Sequence, residues 1–390
     1  MHVLFIPSWY PTPANQIAGS FVREQAQALK NRGITIAVLY MHLESLRYFF
    51  RRSQNPMGFY KNLDGSFPEY MFFGYRIPRM RVLTKFIAQR GLVKVFKKYI
   101  QEYGLPDVLH VQAMENCGNR ALNLKRRYNI QYVVTEHSTK FARGLIKPFL
   151  LAELKTITQQ SEKLIAVSRE FGHLLDEVFN LKEGTWKYIP NVVDNSFLQH
   201  PLNIPSVKGK TRFICVAFLT PKKAVDLLLK AFKLAFHDAD SVELIVAGDG
   251  GERKSLEELS SFLGLQKQVA FKGRLSRSEV RDEISRSDFL VISSLVETFG
   301  VVAVEALALG KAVLATRCGG PESILEENDG LLVDRGSVSS LASGLQYMYQ
   351  NKSSFDAADI RKRCEARFGE AKIATEIIKV YEEAVLKAVE

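Results

Sequence analysis

The second half of the sequence contains the segment Phe289-Leu-Val-Ile-Ser-Ser-Leu-Val-Glu-Thr-Phe-Gly-Val-Val-Ala-Val-Glu305. It opens with four apolar residues, continues through two serines and ends in a second, mostly apolar stretch. A short apolar run bounded by polar residues is typical of a buried strand, and the second stretch is compatible with a helix. The segment therefore predicts a strand, a turn and a helix, which is the unit that builds parallel sheets.

The same alternation of strand and helix patterns extends along most of the chain. Predicted strands in the first half cover residues 3–7, 35–40, 108–111, 132–135 and 164–167. Predicted strands in the second half cover residues 212–217, 243–247, 269–272, 289–292, 312–315 and 330–333. Strands that alternate with helices predict an α/β fold of the doubly wound, Rossmann-like type.

The length of the chain predicts two such domains. With 390 residues it exceeds the size at which a single hydrophobic core stops growing. Residues 188–205 contain three prolines and polar residues, which is typical of a linker. We therefore predict a first domain over residues 1–194 and a second over residues 195–371. Residues 372–390 carry apolar side chains at near-fourfold spacing, which predicts a final amphipathic helix.

Composition excludes several classes of protein. Hydrophobic residues make up 46% of the chain and charged residues 24%, which is typical of globular domains and unlike disordered or fibrous chains. The first apolar run ends at Pro7 without a basic leader, which is unlike a signal peptide or a membrane span. The four cysteines are widely scattered, which argues against a zinc site or a disulfide framework. We therefore expect a cytoplasmic protein.

Two carboxylates, Glu297 and Glu305, flank the predicted strand-to-helix turn. If the helix begins near Phe299, Glu297 lies just before it and Glu305 lies in its second turn. The first backbone amides of the helix, at Gly300 and Val301, are then free to bind an anion. Carboxylates accept hydrogen bonds from paired hydroxyls, so the segment could bind a sugar, a ribose or a phosphate. Alternatively, Glu297 only complements the helix dipole and Glu305 faces solvent.

A second segment, residues 216–229, also follows the strand, loop and helix pattern. Its loop contains Pro221, and we place Lys223 in the first turn of the helix. A lysine at a helix N-terminus can bind a diphosphate, although a lysine at such a position is often only a surface residue.

Both segments resemble glycosyltransferase family 4, whose pattern is a Glu, then Phe-Gly, then a second Glu eight positions after the first. Residues 306–316 and 319–322 also match the usual continuation of that pattern. The resemblance implies a GT-B fold, in which two Rossmann-like domains face each other across a cleft. It also implies retaining transfer of a sugar from a UDP- or GDP-sugar donor, without a metal or other cofactor. The implied acceptor is a glycan or a polyprenyl-diphosphate-linked molecule in cell-surface polysaccharide or glycolipid biosynthesis.

Two other functions share the fold and stay open at this point. One is a nucleotide-sugar epimerase, and the other is a nucleotide-sugar binder without catalytic activity. A metal-binding DxD pair is matched by Asp238-Ala-Asp240, but this segment lies between a predicted helix and the next strand, away from the expected cleft. We interpret it as a loop.

The resemblance assigns roles to residues of the second domain. Glu297 would bind hydroxyls of the donor sugar, and Glu305 would bind the ribose of the nucleotide. The other residues placed near the donor are Phe299, Gly300, Val301, Lys223, Gly248 and Arg274.

The match is imperfect after the predicted strand 212–217. The family usually has Gly-Arg and, four residues later, Lys-Gly. In this chain Ala217 and Ala224 replace the two glycines, and Phe218 replaces the arginine. A charge-assisted hydrogen bond contributes about 1.5–3 kcal/mol, so loss of the arginine would weaken diphosphate binding roughly tenfold to a hundredfold. We expect Lys222 to replace it. Phe218 could instead be a packing residue.

In the first domain the resemblance points to two loops at strand ends. His137, after the strand 132–135, would hydrogen-bond the donor sugar, and Glu136 is a weaker candidate for contact with the sugar or the acceptor. Gly19 lies in the loop after the first strand, on the acceptor side. The final helix, residues 372–390, would cross back to this domain.

The basic residues are unevenly distributed. The net charge of +11 comes from the first half, and residues 47–98 contain 12 basic residues but only two acidic ones. Such a segment could be a solvated surface, a site for a phosphate-bearing acceptor or a peripheral contact with the anionic inner face of the membrane. No nucleic-acid-binding motif accompanies the charge, so we expect no nucleic acid partner.

Overall fold

Strands and helices alternate along the chain in the computed structural model, which describes residues 1–45, 55, 57–63, 65–77, 80–202, 209–237 and 239–386. Within these ranges the side chains of Ser45, Arg81, Val82 and Lys85 are not described. The chain divides into two compact units, one of residues 1–167, 172–192 and the segment from Ile373, and one of residues 168–171 and 193–372. For comparison, the boundaries predicted from the sequence follow residues 194 and 371.

The first unit is built around an eight-stranded sheet. Its strands are β1 (His2–Pro7), β2 (Thr35–Ser45), β3 (Gly58–Asn62), β4 (Glu69–Arg76), β5 (Val108–Gln112), β6 (Gln131–Glu136), β7 (Lys163–Ala166) and β8 (Trp186–Tyr188). Their order is β3-β4-β2-β1-β5-β6-β7-β8, and every neighbouring pair is parallel except β3 and β4.

Helices connect these strands. They are α1 (Ser20–Asn31), α2 (Arg81–Tyr103), α3 (Met114–Tyr128), α4 (Thr139–Ala142), α5 (Pro148–Gln159) and α6 (Arg169–Phe179). The first residues of α6 are grouped with the second unit.

The second unit contains a six-stranded parallel sheet. Its strands are β9 (Thr211–Val216), β10 (Val242–Ala247), β11 (Val269–Gly273), β12 (Phe289–Ile292), β13 (Ala312–Thr316) and β14 (Gly330–Val333). The strand order β11-β10-β9-β12-β13-β14 is the doubly wound Rossmann order, in which the direction of winding reverses between β9 and β12. Ligands of such sheets bind at the carboxyl ends of the strands beside that reversal.

Eight α-helices follow β8 within the described ranges. They are α7 (Asn195–Leu198), α8 (Val225–Ala235), α9 (Arg253–Phe262), α10 (Arg277–Ser285), α11 (Val301–Ala308), α12 (Val338–Gln350), α13 (Ala357–Phe368) and α14 (Glu370–Leu386). No helix in the described ranges is long and apolar enough to cross a bilayer.

The predicted α/β fold with two Rossmann-like domains is confirmed, and all eleven predicted strands are present to within one residue at each end, apart from the longer β2. Sequence reasoning missed β3, β4 and β8. The first two lie in the basic segment of residues 47–98, and β8 has only three residues.

The predicted C-terminal helix is confirmed as α14, although residues 387–390 lie outside the described part of the chain. Ile373, Ile377 and Tyr381 are buried in the core of the first unit, together with side chains of β1 and β2. The Tyr381 hydroxyl also lies 2.6 Å from Nδ1 of His110, a fully buried residue of β5. The last helix is therefore an integral part of the first unit.

Candidate functional site

The loops after β9 and β12 meet at the point where the second sheet reverses its winding. Leu295 donates a backbone hydrogen bond to the Lys222 carbonyl at 2.7 Å, and the Ser293 hydroxyl donates to the Lys223 carbonyl at 2.8 Å. These two bonds fix the backbone around Lys223 relative to the loop after β12. They bring together two segments that are about 70 residues apart in the sequence.

Lys223 and Glu297 form an ion pair across this junction. The Lys223 ammonium group donates a short hydrogen bond to Oε1 of Glu297, and the Ser294 hydroxyl donates to the same oxygen at 2.7 Å. Both side chains are mostly buried. The structure thus brings together two residues that the sequence analysis had assigned to one site.

Lys223 does not lie in the first turn of α8, so its predicted position was wrong. The segment Pro221–Lys223 forms a 3₁₀ turn, and α8 begins only at Val225. Between them Ala224 adopts a left-handed conformation with φ 47°, which interrupts the helix and is unfavourable for a residue with a Cβ. This conformation explains why a glycine is favoured at that position in the family pattern.

The helix after β12 begins at Val301, with Gly300 as its N-cap at φ 104°, so its start is two residues later than predicted. The ring of Phe299 is almost completely buried and packs edge-on against Phe368, so this ring stabilises the fold. Gly320 passes directly over Phe299, because a Cβ on Gly320 would lie 2.0 Å from the Phe299 carbonyl oxygen. The N-terminus of α11 is therefore rigidly held beside Glu297.

Glu305 is buried, so the alternative in which it faces solvent is wrong. Nη1 of Arg277, the first residue of α10, donates to its Oε1 at 2.6 Å. The Arg277 guanidinium also lies over the ring of Phe197 and 3.9 Å from a carboxylate oxygen of Asp194. Sequence reasoning missed Arg277 and selected Arg274, which is exposed.

Gly248 and Phe218, at two further positions of the family pattern, lie in the loops after β10 and β9. Gly248 has φ 138°, and a Cβ there would lie 1.8 Å from the Ala217 carbonyl oxygen, so only glycine allows the loops after β9 and β10 to approach this closely. Phe218 follows in the same loop with 70% of its side chain exposed. Its interpretation as a packing residue is therefore wrong.

His137 lies at the carboxyl edge of the first sheet, within a buried polar network. Its Nε2 lies 2.7 Å from the amide oxygen of Gln112, whose nitrogen in turn donates to Gln25 at 2.5 Å. An amide oxygen only accepts, so His137 carries its proton on Nε2, and Nδ1 is the acceptor nitrogen. Its ring packs against Phe21, the second residue of α1.

Glu136 is fully buried, and its carboxylate accepts three backbone hydrogen bonds. The donors are the amides of Met114, His137 and Ser138, at 2.8 to 2.9 Å. Burial raises the pKa of this carboxyl group, and the three amides oppose that shift. Glu136 was expected to contact a sugar or an acceptor directly. It instead fixes the loop that carries His137, so its role is structural.

Gly19 precedes α1 with φ 71°, and a Cβ there would lie 2.4 Å from the carbonyl oxygen of Trp9. Glycine therefore allows the start of α1 to pack against the loop that follows β1.

No group of three metal-ligating side chains capable of holding an ion occurs in the described ranges. Asp238, the first residue of the DxD pair, lies outside those ranges. The expectation that the chain needs no metal stays a prediction.

Comparison with known proteins adds family matches over both halves. Residues 200–367 match the family described as Glycosyl transferases group 1, and residues 18–197 match Glycosyltransferase Family 4. An uncharacterized glycosyltransferase of Methanocaldococcus jannaschii is 30% identical, over 79% of this chain and 84% of its own length. The lipopolysaccharide core biosynthesis glycosyltransferase LpsD of Rhizobium meliloti is 29% identical, over 49% of this chain and 53% of its own length.

Among solved structures, Anabaena HepE in complex with UDP-glucose superimposes with a TM-score of 0.71. The match covers 98% of this chain and 99% of that chain at 18% identity, so it supports the shared fold.

The buried histidines predict a pH dependence of stability. Burial lowers the pKa of both His137 and His110 to about 3, from an ordinary value of 6.5. Below about pH 6.5 the unfolded chain binds protons that the folded chain does not, so the free energy of unfolding falls as the pH is lowered towards 3. Each histidine contributes a slope of about 1.4 kcal/mol per pH unit. We expect His137→Gln to remove one such contribution in urea unfolding between about pH 6.5 and 5.

The matched control for this experiment is His173→Gln, which replaces an exposed histidine of α6. Equal slopes for the wild type and His137→Gln would contradict the neutral state assigned to His137.

Proposed function

Because the chain belongs to the family 4, group 1 glycosyltransferases, we propose that it transfers a sugar from a UDP- or GDP-sugar to a glycan or polyprenyl-diphosphate-linked acceptor. The proposed transfer retains the anomeric configuration and serves the biosynthesis of a cell-surface polysaccharide or glycolipid. One observation carries the proposal: Lys223, Glu297 and the N-terminus of α11 converge where the second sheet reverses its winding. A cation and free helix amides suit the diphosphate of a nucleotide sugar, and a carboxylate suits its sugar hydroxyls.

In this proposal the diphosphate of the donor lies against Lys223 and the amides of Gly300 and Val301. Negative charge develops on the diphosphate as the glycosidic bond breaks, and fixed positive groups stabilise that charge without reorganisation. We assign Lys222, whose backbone carbonyl is tied to the loop after β12, as a second cation in place of the family arginine. Arg274, at the end of β11, borders the base or the ribose.

Glu297 binds hydroxyls of the transferred sugar, and Glu305 binds the ribose. Both carboxylates are already held by a cation, since Lys223 contacts Glu297 and Arg277 contacts Glu305. Such pairing orients each carboxylate, and carboxylate oxygens are strong acceptors for sugar hydroxyls. His137 contributes its Nδ1 as an acceptor for a hydroxyl of the donor sugar.

A same-face displacement fits this set of residues. The departing phosphate takes the proton of the acceptor hydroxyl while that hydroxyl attacks the anomeric carbon on the face that the phosphate leaves. This path requires no protein base. Lys223 and Ser294 already donate hydrogen bonds to Oε1 of Glu297. Charge stabilisation by Lys223 is then the main contribution of the protein to the reaction.

An assay with a panel of sugar nucleotides tests the proposed function. The chain is incubated with UDP- and GDP-sugars, with and without a lipid-diphosphate-linked sugar acceptor, and released nucleotide and product are measured. We expect nucleotide release that depends on the acceptor, together with a product of retained configuration by NMR. Release or isomerisation without acceptor would identify an epimerase, and donor binding without turnover would identify a non-catalytic binder.

Replacement of Lys223 tests the diphosphate contact. We expect Lys223→Ala to abolish nearly all transfer and to weaken donor binding by about tenfold to a hundredfold, since it removes a charge-assisted bond. Lys222→Ala should weaken binding less, but clearly more than Lys230→Ala, which removes an exposed lysine of α8. Calorimetry with UDP and GDP measures these affinities. Unchanged donor affinity in both Lys222→Ala and Lys223→Ala would rule out this diphosphate model.

We also propose that the chain acts in the cytoplasm, with peripheral attachment to the anionic inner face of the membrane. Residues 47–98 lie partly outside the described ranges, but α2 and its N-cap present three exposed apolar side chains. Met80, Leu83 and Phe86 are 52%, 37% and 50% exposed, and the Arg90 guanidinium lies over the Phe86 ring. Apolar side chains that insert at the headgroups, next to basic residues, are typical of peripheral membrane binding.

Vesicle sedimentation tests this attachment. We expect binding to vesicles of phosphatidylglycerol and phosphatidylcholine at low salt, loss of binding at high salt because charge is screened, and weaker binding for Phe86→Ser. Vesicles of phosphatidylcholine alone are the control. Absence of sedimentation with anionic vesicles at low salt would exclude the membrane contact.

A further inference from the structure

A cavity of about 1290 Å³ opens in the first unit, next to the carboxyl ends of β1, β2 and β4. It is separate from the residues assigned above to the donor. The residues of its wall that matter here are Ser8, Trp9, Leu43, Arg76, Phe86 and Arg120. A cavity of this size can hold a ligand larger than a monosaccharide.

One face of α3 supplies the polar side of the cavity. Asn116, Asn119, Arg120 and Asn123 all line it. Their spacing of three, four and seven residues places them on one side of the helix. Amide side chains both donate and accept hydrogen bonds, so this face is suited to hydroxyl groups beside an anion.

Arg120 is the decisive residue of this face. No side chain or carbonyl within the described ranges accepts a hydrogen bond from its guanidinium or forms an ion pair with it. Arg120 is partly buried, and burial lowers the pKa of its guanidinium. Its two close titratable neighbours are Tyr40 and Cys117, and burial raises the pKa of each to about 12, so both are neutral near pH 7.

The carboxylates that line the same cavity are already engaged. Glu115 receives the ammonium group of Lys140 on both oxygens at 2.6 Å, and Glu153 accepts a short hydrogen bond from Asn119. Neither carboxylate forms an ion pair with Arg120 within the described part of the chain. Burying an unpaired cation costs free energy, and a bound anion would offset that cost.

The cavity also has an apolar wall and a second cation. Met41, Leu43, Ile77, Phe86 and Leu150 form the apolar part. Arg76, the last residue of β4, is exposed at the same cavity. A ligand that combines an anionic group with a hydrocarbon chain would bind both the polar face of α3 and the apolar wall.

We propose that this cavity binds the phosphate or diphosphate group of the acceptor, with Arg120 as the main anion-binding residue and Arg76 as an auxiliary one. The inference rests on the proposed transferase function and specifies its acceptor class. The guanidinium binds two phosphate oxygens at once, the asparagines of α3 bind the adjacent sugar hydroxyls, and the apolar wall holds the first isoprene units of a lipid carrier.

A binding experiment tests this proposal without sugar transfer, so its failure is distinguishable from failure of the proposed function. Trp9 lines the cavity, and its fluorescence reports binding of farnesyl diphosphate, farnesol or inorganic diphosphate to the full chain. We expect farnesyl diphosphate to bind at least tenfold more tightly than farnesol, and Arg120→Met to abolish this difference. Equal affinity of the wild type for farnesyl diphosphate and farnesol would overturn the proposal.

Inorganic diphosphate separates the two possible sources of the anion. Weaker binding of inorganic diphosphate than of farnesyl diphosphate supports a lipid-linked acceptor. Equal binding of the two supports a soluble phosphate-bearing acceptor that leaves the apolar wall unused.

Two variants control for the fold. Arg127→Met removes an exposed arginine from the same helix and should leave all three affinities within about twofold of wild type. If Arg120→Met does not fold, Arg120→Lys keeps the charge and should lower farnesyl diphosphate affinity by about tenfold, because it loses the paired hydrogen bonds. UDP affinity should stay at the wild-type value in every folded variant. Loss of UDP affinity together with farnesyl diphosphate affinity would overturn the assignment of Arg120 to an acceptor cavity.

Discussion

The ion pair of Lys223 and Glu297 is the constraint on which the donor site depends. It forms where two strands adjacent in the sheet, but distant in sequence, release their loops at the same edge. A mostly buried pair repays its desolvation only when the geometry is good and the remaining polar groups have partners. The Ser294 hydroxyl and the hydrogen bonds between the two loops meet this condition. The site is thus organised before a ligand arrives, which lowers the cost of orienting the ligand.

In the first unit, hydrogen bonds between uncharged side chains orient His137, without an ion pair. His137 is neutral and is linked by hydrogen bonds through Gln112 to Gln25, so the orientation of its ring does not rely on charge. Glu136 then fixes the backbone of this loop through three amides. Arg120 is the exception, because no described residue forms a hydrogen bond or an ion pair with its guanidinium. An unpaired charged side chain at the carboxyl edge of a sheet indicates a ligand site more directly than neighbouring side chains that already have hydrogen-bond partners.

Close backbone packing accounts for several residues of the family pattern. Gly248 and Gly320 have no space for a Cβ, because carbonyl oxygens of neighbouring loops occupy that position. Ala224 tolerates a left-handed conformation at some cost, and Phe218 is displayed to solvent where the family has a cation. The chain thus keeps the glycines that its loops require and departs from the pattern where the backbone can accept a side chain.

The sequence by itself determined eleven of the fourteen described strands, the final helix and the identity of Glu297, Glu305 and Lys223 as a set. It could do so because strands and helices leave a local period, and because a motif preserves the spacing of residues around one turn. It could not determine that Arg277 holds Glu305, that Gln112 orients His137 or that Arg120 lacks a partner in the described fold. Those facts depend on which strands lie side by side and which helix faces meet, and residues far apart in sequence leave no local period to record such contacts.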